Sequence, residues 1–285
     1  MKVHAIQTGT VAVKSRQREG LGRGTRRLAN TFLDRQWTEP LPILAWAIEH
    51  SEGVIVVDTG ETAHASEPGY FPRWHPYFRT GLREWVVHEE EVGPQLGRLG
   101  FSPREVRWVV MTHLHTDHAG GLHHFPDSEI LVSRVELKKA SGRMGRVRGY
   151  LNNRFPDWFD PRGIDFAADP VGPFPESFAL TAAGDVRLVP VPGHTAGQLA
   201  VIVEDERGST FLAGDSSYTE DLMLRGAVDG IAPDEAAARR TLERIRTYVG
   251  ATPTVYLPSH DPASAPRLAQ RQVVHTEGAT HELRD

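Results

Sequence analysis

Apolar runs of strand length punctuate the chain. They recur at PILAWAIEH (42–50), GVIVVDTG (53–60), VRWVVMT (106–112), EILVS (129–133), VRLVPVPG (186–193), LAVIVED (199–205), STFLAGD (209–215) and TVYLPS (254–259). Several are rich in Val and Ile and stop at Gly, Pro or polar clusters, which predicts buried strands. The opening MKVHAIQTGTVAVKS alternates as a strand does. Helical spacing is scarcer. Residues 233–250 open on Pro and acids, place Ala238, Leu242, Ile245 and Val249 on one face, and close at Gly250. A second, weaker helix is predicted over 88–100, interrupted by Gly93 and Pro94. Strands outnumber helices, yet helices punctuate both halves, so packed sheets with helices outside are expected.

Composition narrows the choice of partner and compartment. The 285 residues are 39% hydrophobic and contain no Pro/Gly/Ser-rich linker, which predicts one domain over 1–265 followed by a C-terminal tail, 266–285. A net charge of −5 without a basic stripe argues against nucleic acid. Neither a charged head with an apolar run nor a stretch of membrane-spanning length is present, so a cytoplasmic protein without a membrane partner is expected. The chain has no cysteine. Any metal must therefore be held by nitrogen and oxygen.

THLHTDHAGG (112–121) offers such donors: His113, His115, Asp117 and His118 directly after an apolar run and before Gly120 and Gly121. Four ligands cannot all serve one tetrahedral ion and still leave a position for water, so two metals are suggested. Further candidates stand at predicted strand ends: His194 in VPGHTAGQ, Asp215 closing TFLAGD, and His260 after VYLPS. Each alone would read as a turn residue or cap. The other histidines, at 4, 50, 64, 75, 88, 123, 124, 275 and 281, lack this context and are read as surface or structural. His123 and His124 lie past the glycine pair and are expected to point elsewhere.

In order, VVDTG (56–60), THLHTDHAGG, PGHTAGQ (192–198), LAGD (212–215) and LPSH (257–260) resemble the five motifs of the metallo-β-lactamase superfamily, over roughly residues 40–260. The resemblance implies an α/β fold, an αββα sandwich of two mixed sheets with outer helices and metals at one edge. It assigns His113, His115 and His194 to one ion, Asp117, His118 and His260 to the other, and Asp215 to a bridge. Asp58 matches a residue that supports the site without binding metal. Two Zn²⁺ are implied, with cobalt, manganese or iron as other divalent choices.

Fold does not fix substrate. β-Lactamases with a cysteine ligand are excluded by composition, and the other β-lactamase type lacks a bridging aspartate. A flavodiiron protein would carry Glu at position 115 and a flavin domain. Tyr218, three residues after Asp215 in GDSSYTED, resembles the tyrosine of N-acyl-homoserine lactonases that contacts the substrate carbonyl. Those enzymes open a small lactone by attack of a hydroxide bridging two metals, and Tyr218 would stabilise the oxyanion. Asp117 or Asp215 would move the proton. A thioesterase of the glyoxalase II kind, or another esterase on the same site, is the alternative. A non-catalytic metal protein is disfavoured because no ligand position is lost. YFPRWHPYFRTGLREW (70–85) and RFPDWFD (154–160) are aromatic-rich, and Trp74, Phe78 and Trp158 are candidates to wall an acyl groove. Clamping of these loops onto the core is as good a reading, and the same segments make a homodimer plausible.

Overall fold

Trp108 and Val110 point to one side of their strand and Val109 to the other, and that alternation separates two apolar layers. In the computed structural model, which describes residues 1–275, the strand belongs to the first of two facing sheets. The first sheet is built from β1 (Lys2–Val13), β2 (Leu41–Glu49), β3 (Val54–Val57), β4 (Leu82–Trp85), β5 (Val106–Val110), β6 (Glu129–Ser133) and β7 (Arg162–Ile164), in the order β4-β1-β2-β3-β5-β6-β7. The second holds β8 (Phe178–Ala179), β9 (Val186–Pro190), β10 (Leu199–Asp205), β11 (Gly208–Gly214) and β12 (Thr254–Pro258), in the order β12-β11-β10-β9-β8. Both are mixed: β3, β5, β6 and β7 run parallel beside antiparallel β1 to β4, and β11 and β12 are parallel while β8 to β11 alternate.

Three apolar layers follow. Trp46, Ile55, Val57, Trp108 and Val110 meet Leu188, Val201, Leu212 and Leu257 between the sheets. Ala45, Ala47, Val56 and Val109 pack outward under Val92 and Leu96 of the helix Val92–Arg98. Ala200, Ile202 and Phe211 are covered by Ala238, Leu242, Ile245 and Val249 of the helix Glu235–Ala251. This is the αββα sandwich. Asp234 caps the helix Glu235–Ala251 by accepting the Ala237 N–H at 2.9 Å. Truncating the fully buried Leu242 to Ala would cost about 2–5 kcal/mol.

The predicted strands occur within a few residues of their expected bounds. The helix expected over 88–100 divides at Glu91 into a 3₁₀ turn, His88–Glu90, and the helix Val92–Arg98, with Pro94 in the first turn, where its missing N–H costs nothing. β4, β7, β8 and the helix Gly24–Leu33 had no counterpart in the apolar pattern. The boundary expected at residue 265 falls inside the helix Ser264–Gln270. Arg267 there is buried, donating to the Tyr256 carbonyl and pairing with Asp261, and the Val274 N–H donates to the Thr254 carbonyl. The chain thus stays on the sandwich to 274; the rest of the expected tail, 276–285, with His281, lies outside the described residues. No described helix is long and apolar enough to cross a membrane.

The C-terminal ends of β3, β5, β9, β11 and β12 gather at one edge. The Leu199 N–H donates to the Thr112 carbonyl and the Leu44 N–H to the Ser259 carbonyl, tying the two sheets together there.

Candidate metal centre

Seven side chains from four of these strand ends converge. His113 Nε2 lies 3.1 Å from His115 Nδ1, which lies 3.0 Å from His194 Nε2. A tetrahedral ion with nitrogen bonds of about 2.0–2.1 Å sets its ligands roughly 3.3 Å apart, so this trio fits one. Asp117, His118 and His260 form a second group, with His260 Nε2 3.3 Å from Asp117 Oδ2. Asp215 stands between the two. Its Oδ1 is 3.2 and 3.4 Å from the Nε2 atoms of His118 and His260, and its Oδ2 is 3.5 Å from that of His194. Among the described residues His118 Nε2 and Asp215 Oδ1 are buried without a hydrogen-bond partner, an arrangement that suits a divalent cation better than a finished polar core.

Four of the five histidines have the ring nitrogen that faces away from the cluster held. His118 Nδ1 donates to Asp58 at 2.8 Å, His260 Nδ1 to the Pro42 carbonyl at 2.8 Å, and His194 Nδ1 to Asp229 at 3.3 Å. His113 Nδ1 donates to Thr112 Oγ1, which itself donates to Asp58. Each bond fixes the tautomer that presents Nε2 to the site. Asp58 also accepts the Thr112 N–H and adopts φ +58, the left-handed region that non-glycine residues rarely enter. Gly120 and Gly121 permit the loop's close return: a Cβ on the first would collide with Glu61 and on the second with the Thr59 carbonyl.

The two groups differ electrostatically. Burial, reinforced by neighbouring imidazoles, holds His113 well below its usual range and His115 at about 3, so both present lone pairs. Burial also opposes charge on His118 and His260, but Asp215 and the other carboxylates outweigh it, lifting His118 well above its ordinary value and His260 to about 10. Asp117 is held at about 2, its burial overcome by His118 and His260. Carboxylates that favour a positive charge so strongly also favour a divalent cation.

A cavity of ≈ 540 Å³ opens onto the cluster, lined by His115, Asp117, His194, Asp215, His260 and Tyr218 and walled by Leu28, Phe32, Phe78 and Val147. Tyr218 is buried, its ring stacked on His260 with centroids 5.6 Å apart. Of the expected substrate wall, Tyr218 and Phe78 line this cavity; Trp74 and Trp158 do not. Trp74 is 59% exposed because His75 and Phe78 take the inward positions around Pro76. Tyr70 and Phe155 line a different cavity of ≈ 600 Å³, which contains none of the seven clustered residues.

Several contributors had no sequence signal. Glu136 accepts from the Leu114 N–H, the Gly197 N–H and Thr195 Oγ1, bracing the two histidine loops against each other; in SRVE it reads as a capping-box acid behind Ser133. Asp229 reads as a turn residue before Gly230. Gln17, buried in an N-terminal turn, reaches Tyr218.

A profile of the metallo-β-lactamase superfamily matches residues 38–260. An N-acyl homoserine lactonase, AttM, of Rhizobium johnstonii is 28% identical over 238 residues, 79% of this chain and 83% of its own. A probable metallo-hydrolase of Mycobacterium tuberculosis is 31% identical over 188 residues, 64% of this chain and 57% of its own. Among solved structures, an N-acyl homoserine lactone hydrolase with the product N-hexanoyl-L-homoserine at its catalytic metal centre shares the fold, with a TM-score of 0.72 at 22% identity over 93% of this chain and 95% of that one.

Proposed function

Because this chain belongs to the metallo-β-lactamase superfamily, we propose that it hydrolyses the lactone ring of N-acyl homoserine lactones at a dinuclear metal centre. Tyr218, stacked on His260 and lining the cavity with the clustered ligands, carries this reading beyond a generic hydrolase. The similarity to a named lactonase over 79% of the chain supports it.

His113, His115 and His194 would hold one ion and Asp117, His118 and His260 the other, and the two oxygens of Asp215 face both sets. The nitrogen and carboxylate donors suit Zn²⁺, with cobalt, manganese and iron as other divalent choices. When bound, the pair supplies a water ionised near neutral pH and polarises the ester carbonyl. Tyr218 hydrogen-bonds the carbonyl oxygen as charge develops there. Burial holds its phenol well above the ordinary range, so it remains a donor. Asp117, with 15% of its side chain exposed against 5% for Asp215, takes the proton from the attacking water and passes it to the departing ring oxygen. Leu28, Phe32 and Phe78 receive the acyl chain.

The deciding experiment is turnover of N-acyl homoserine lactones of several acyl lengths, beside a thioester, with and without chelator. Chelator-sensitive lactone opening is expected. Turnover of the thioester alone would replace this reading with a thioesterase on the same site.

A further inference from the structure

Beyond the dinuclear cluster, a second set of donor side chains converges on one carboxylate oxygen. We infer that Glu91, His123 and His124, with His88 at the rim, form a third cation site for a divalent ion of the zinc, nickel or copper kind. The Nε2 atoms of His124 and His123 lie 2.7 and 3.2 Å from Glu91 Oε2, the shorter distance being a hydrogen bond that a bound ion would replace. One donor atom from each of these three residues falls within 4.8 Å of the others. Glu91 is 2% exposed and His123 42%, so the site has a buried carboxylate wall and an open imidazole side.

Proton positions point to a cation. His123 Nδ1 is 3.2 Å from the Gly120 carbonyl, which only accepts, so Nδ1 carries a hydrogen. In the neutral ring, Nε2 then turns its lone pair toward Glu91 Oε2, another acceptor. That approach is favourable only with a positive charge between them. A backbone carbonyl fixing the far nitrogen of an imidazole is also the usual support of a metal-bound histidine. The carboxylate is braced in the same way. Its Oε1 accepts the Ala63 N–H at 2.9 Å and Thr62 Oγ1 at 3.3 Å, leaving Oε2 for the imidazoles, and His88 Nδ1 stands 3.6 Å from Oε1.

Fixing residues 62–63 explains why a carboxylate is at 91; it does not explain three histidines facing it. Room has also been left for one of them, since a Cβ at Gly93 would collide with the ring of His124. Imidazoles with one carboxylate and no thiolate select borderline transition ions over magnesium or calcium. An ion here would join the turn at 88–91 to the segment 116–124, which also carries Asp117 and His118, and so would clamp the loop behind the main site. The site is independent of the substrate reading.

The test uses the full-length, zinc-loaded protein, titrated calorimetrically with further zinc at neutral pH beside His123→Ala and His124→Ala. Wild type is expected to bind one equivalent more than either variant, or to bind it at least about 10-fold more tightly. The readout is a difference between proteins, so it holds whatever the occupancy of the buried centre. His123→Ala, at a half-exposed position, guards against a His124 variant that fails to fold. Equal zinc uptake by wild type and His123→Ala would overturn the site and leave a proton as the charge between His123 and Glu91.

Discussion

Gln17 Nε2 lies 2.9 Å from the hydroxyl oxygen of Tyr218, and also 2.9 Å from that of Tyr77. With both amide hydrogens given to phenol oxygens, each tyrosine keeps its own proton to donate. Gln17 is buried and its Oε1 has no partner among the described residues, so the amide has no competing anchor there. An N-terminal turn thus orients a tyrosine some two hundred residues away.

Replacing Gln17 by Leu removes that orientation and keeps the volume approximately. A net hydrogen bond contributes about 1 kcal/mol, so kcat/KM for a lactone should fall roughly 5-fold at unchanged metal content. In a Tyr218→Phe background the same change should have almost no effect. An equal loss in both backgrounds would make Gln17 a packing residue only.

Tyr218→Phe removes the proposed donor and preserves the ring on His260. Loss of one oxyanion donor typically costs about 10²- to 10³-fold, but here a metal shares the charge, so a fall of roughly 10- to 100-fold in kcat/KM is expected, with folding and metal content intact. Wild-type rates at full metal loading would remove Tyr218 from the chemistry.

The cluster of candidate ligands was legible because its residues follow apolar runs whose ends are marked by Gly or Pro, and strands of one direction deliver their ends to one edge. Glu136 and Asp229 were not legible, because Ser-x-x-Glu and Asp-Gly have ordinary local explanations as cap and turn, and only the tertiary fold aims those carboxylates at the histidine loops. Trp74 and Trp158 stand outside the cavity for a related reason. Clustered aromatics at 70–85 say that something is covered, but the turn at Pro76 decides that Phe78 enters the cavity and Trp74 does not. The short β4, β7 and β8 lack the length for a periodic signal, and Gly24–Leu33 follows Arg23, whose side chain makes no capping hydrogen bond, so nothing local marks its start.

Asp215→Asn tests the bridge. The amide keeps the shape but cannot offer an anionic oxygen to both ligand sets, so dialysed protein should hold one ion or fewer by elemental analysis. Asp229 Oδ2 meets the far nitrogen of His194 while its Oδ1 accepts the Ile231 and Ala232 N–H groups, and Asp229→Asn should weaken metal binding by about 10- to 100-fold without changing the saturated stoichiometry. Two ions retained in Asp215→Asn would exclude a bridging role.

Asp205 supplies a pH test away from the site. Burial opposes its ionisation, but the Arg207 backbone and guanidinium, together with Arg271, hold its carboxyl below the ordinary value. A depressed folded pKa contributes stability above the unfolded pKa, about 3.9, and loses it as pH falls through the folded value. Asp205→Asn should therefore lower Tm at pH 7 by roughly 2 °C, about 1 kcal/mol, and the gap should narrow progressively as pH is lowered below about 3.9. A gap of constant size, read by circular dichroism across that range, would assign the loss to something other than the charge.

Leu28 and Phe32 are one helical turn apart on Gly24–Leu33, share a face, and line the cavity while remaining 43% and 39% exposed. Apolar side chains left half open at a cavity wall are where an acyl chain would gain most by covering them. Each methylene buried is worth about 0.8 kcal/mol, so two of them separate long from short substrates by roughly 10-fold. Phe32→Ala should erase about that much of the preference for longer acyl chains in kcat/KM and leave a lactone with a minimal acyl group almost unaffected. Trp74→Ala and Trp158→Ala, outside the cavity, should leave the ranking unchanged. If instead the tryptophan variants reorder the substrates and Phe32→Ala does not, the acyl chain leaves the metal centre toward the 70–85 and 154–160 loops rather than along the N-terminal helix.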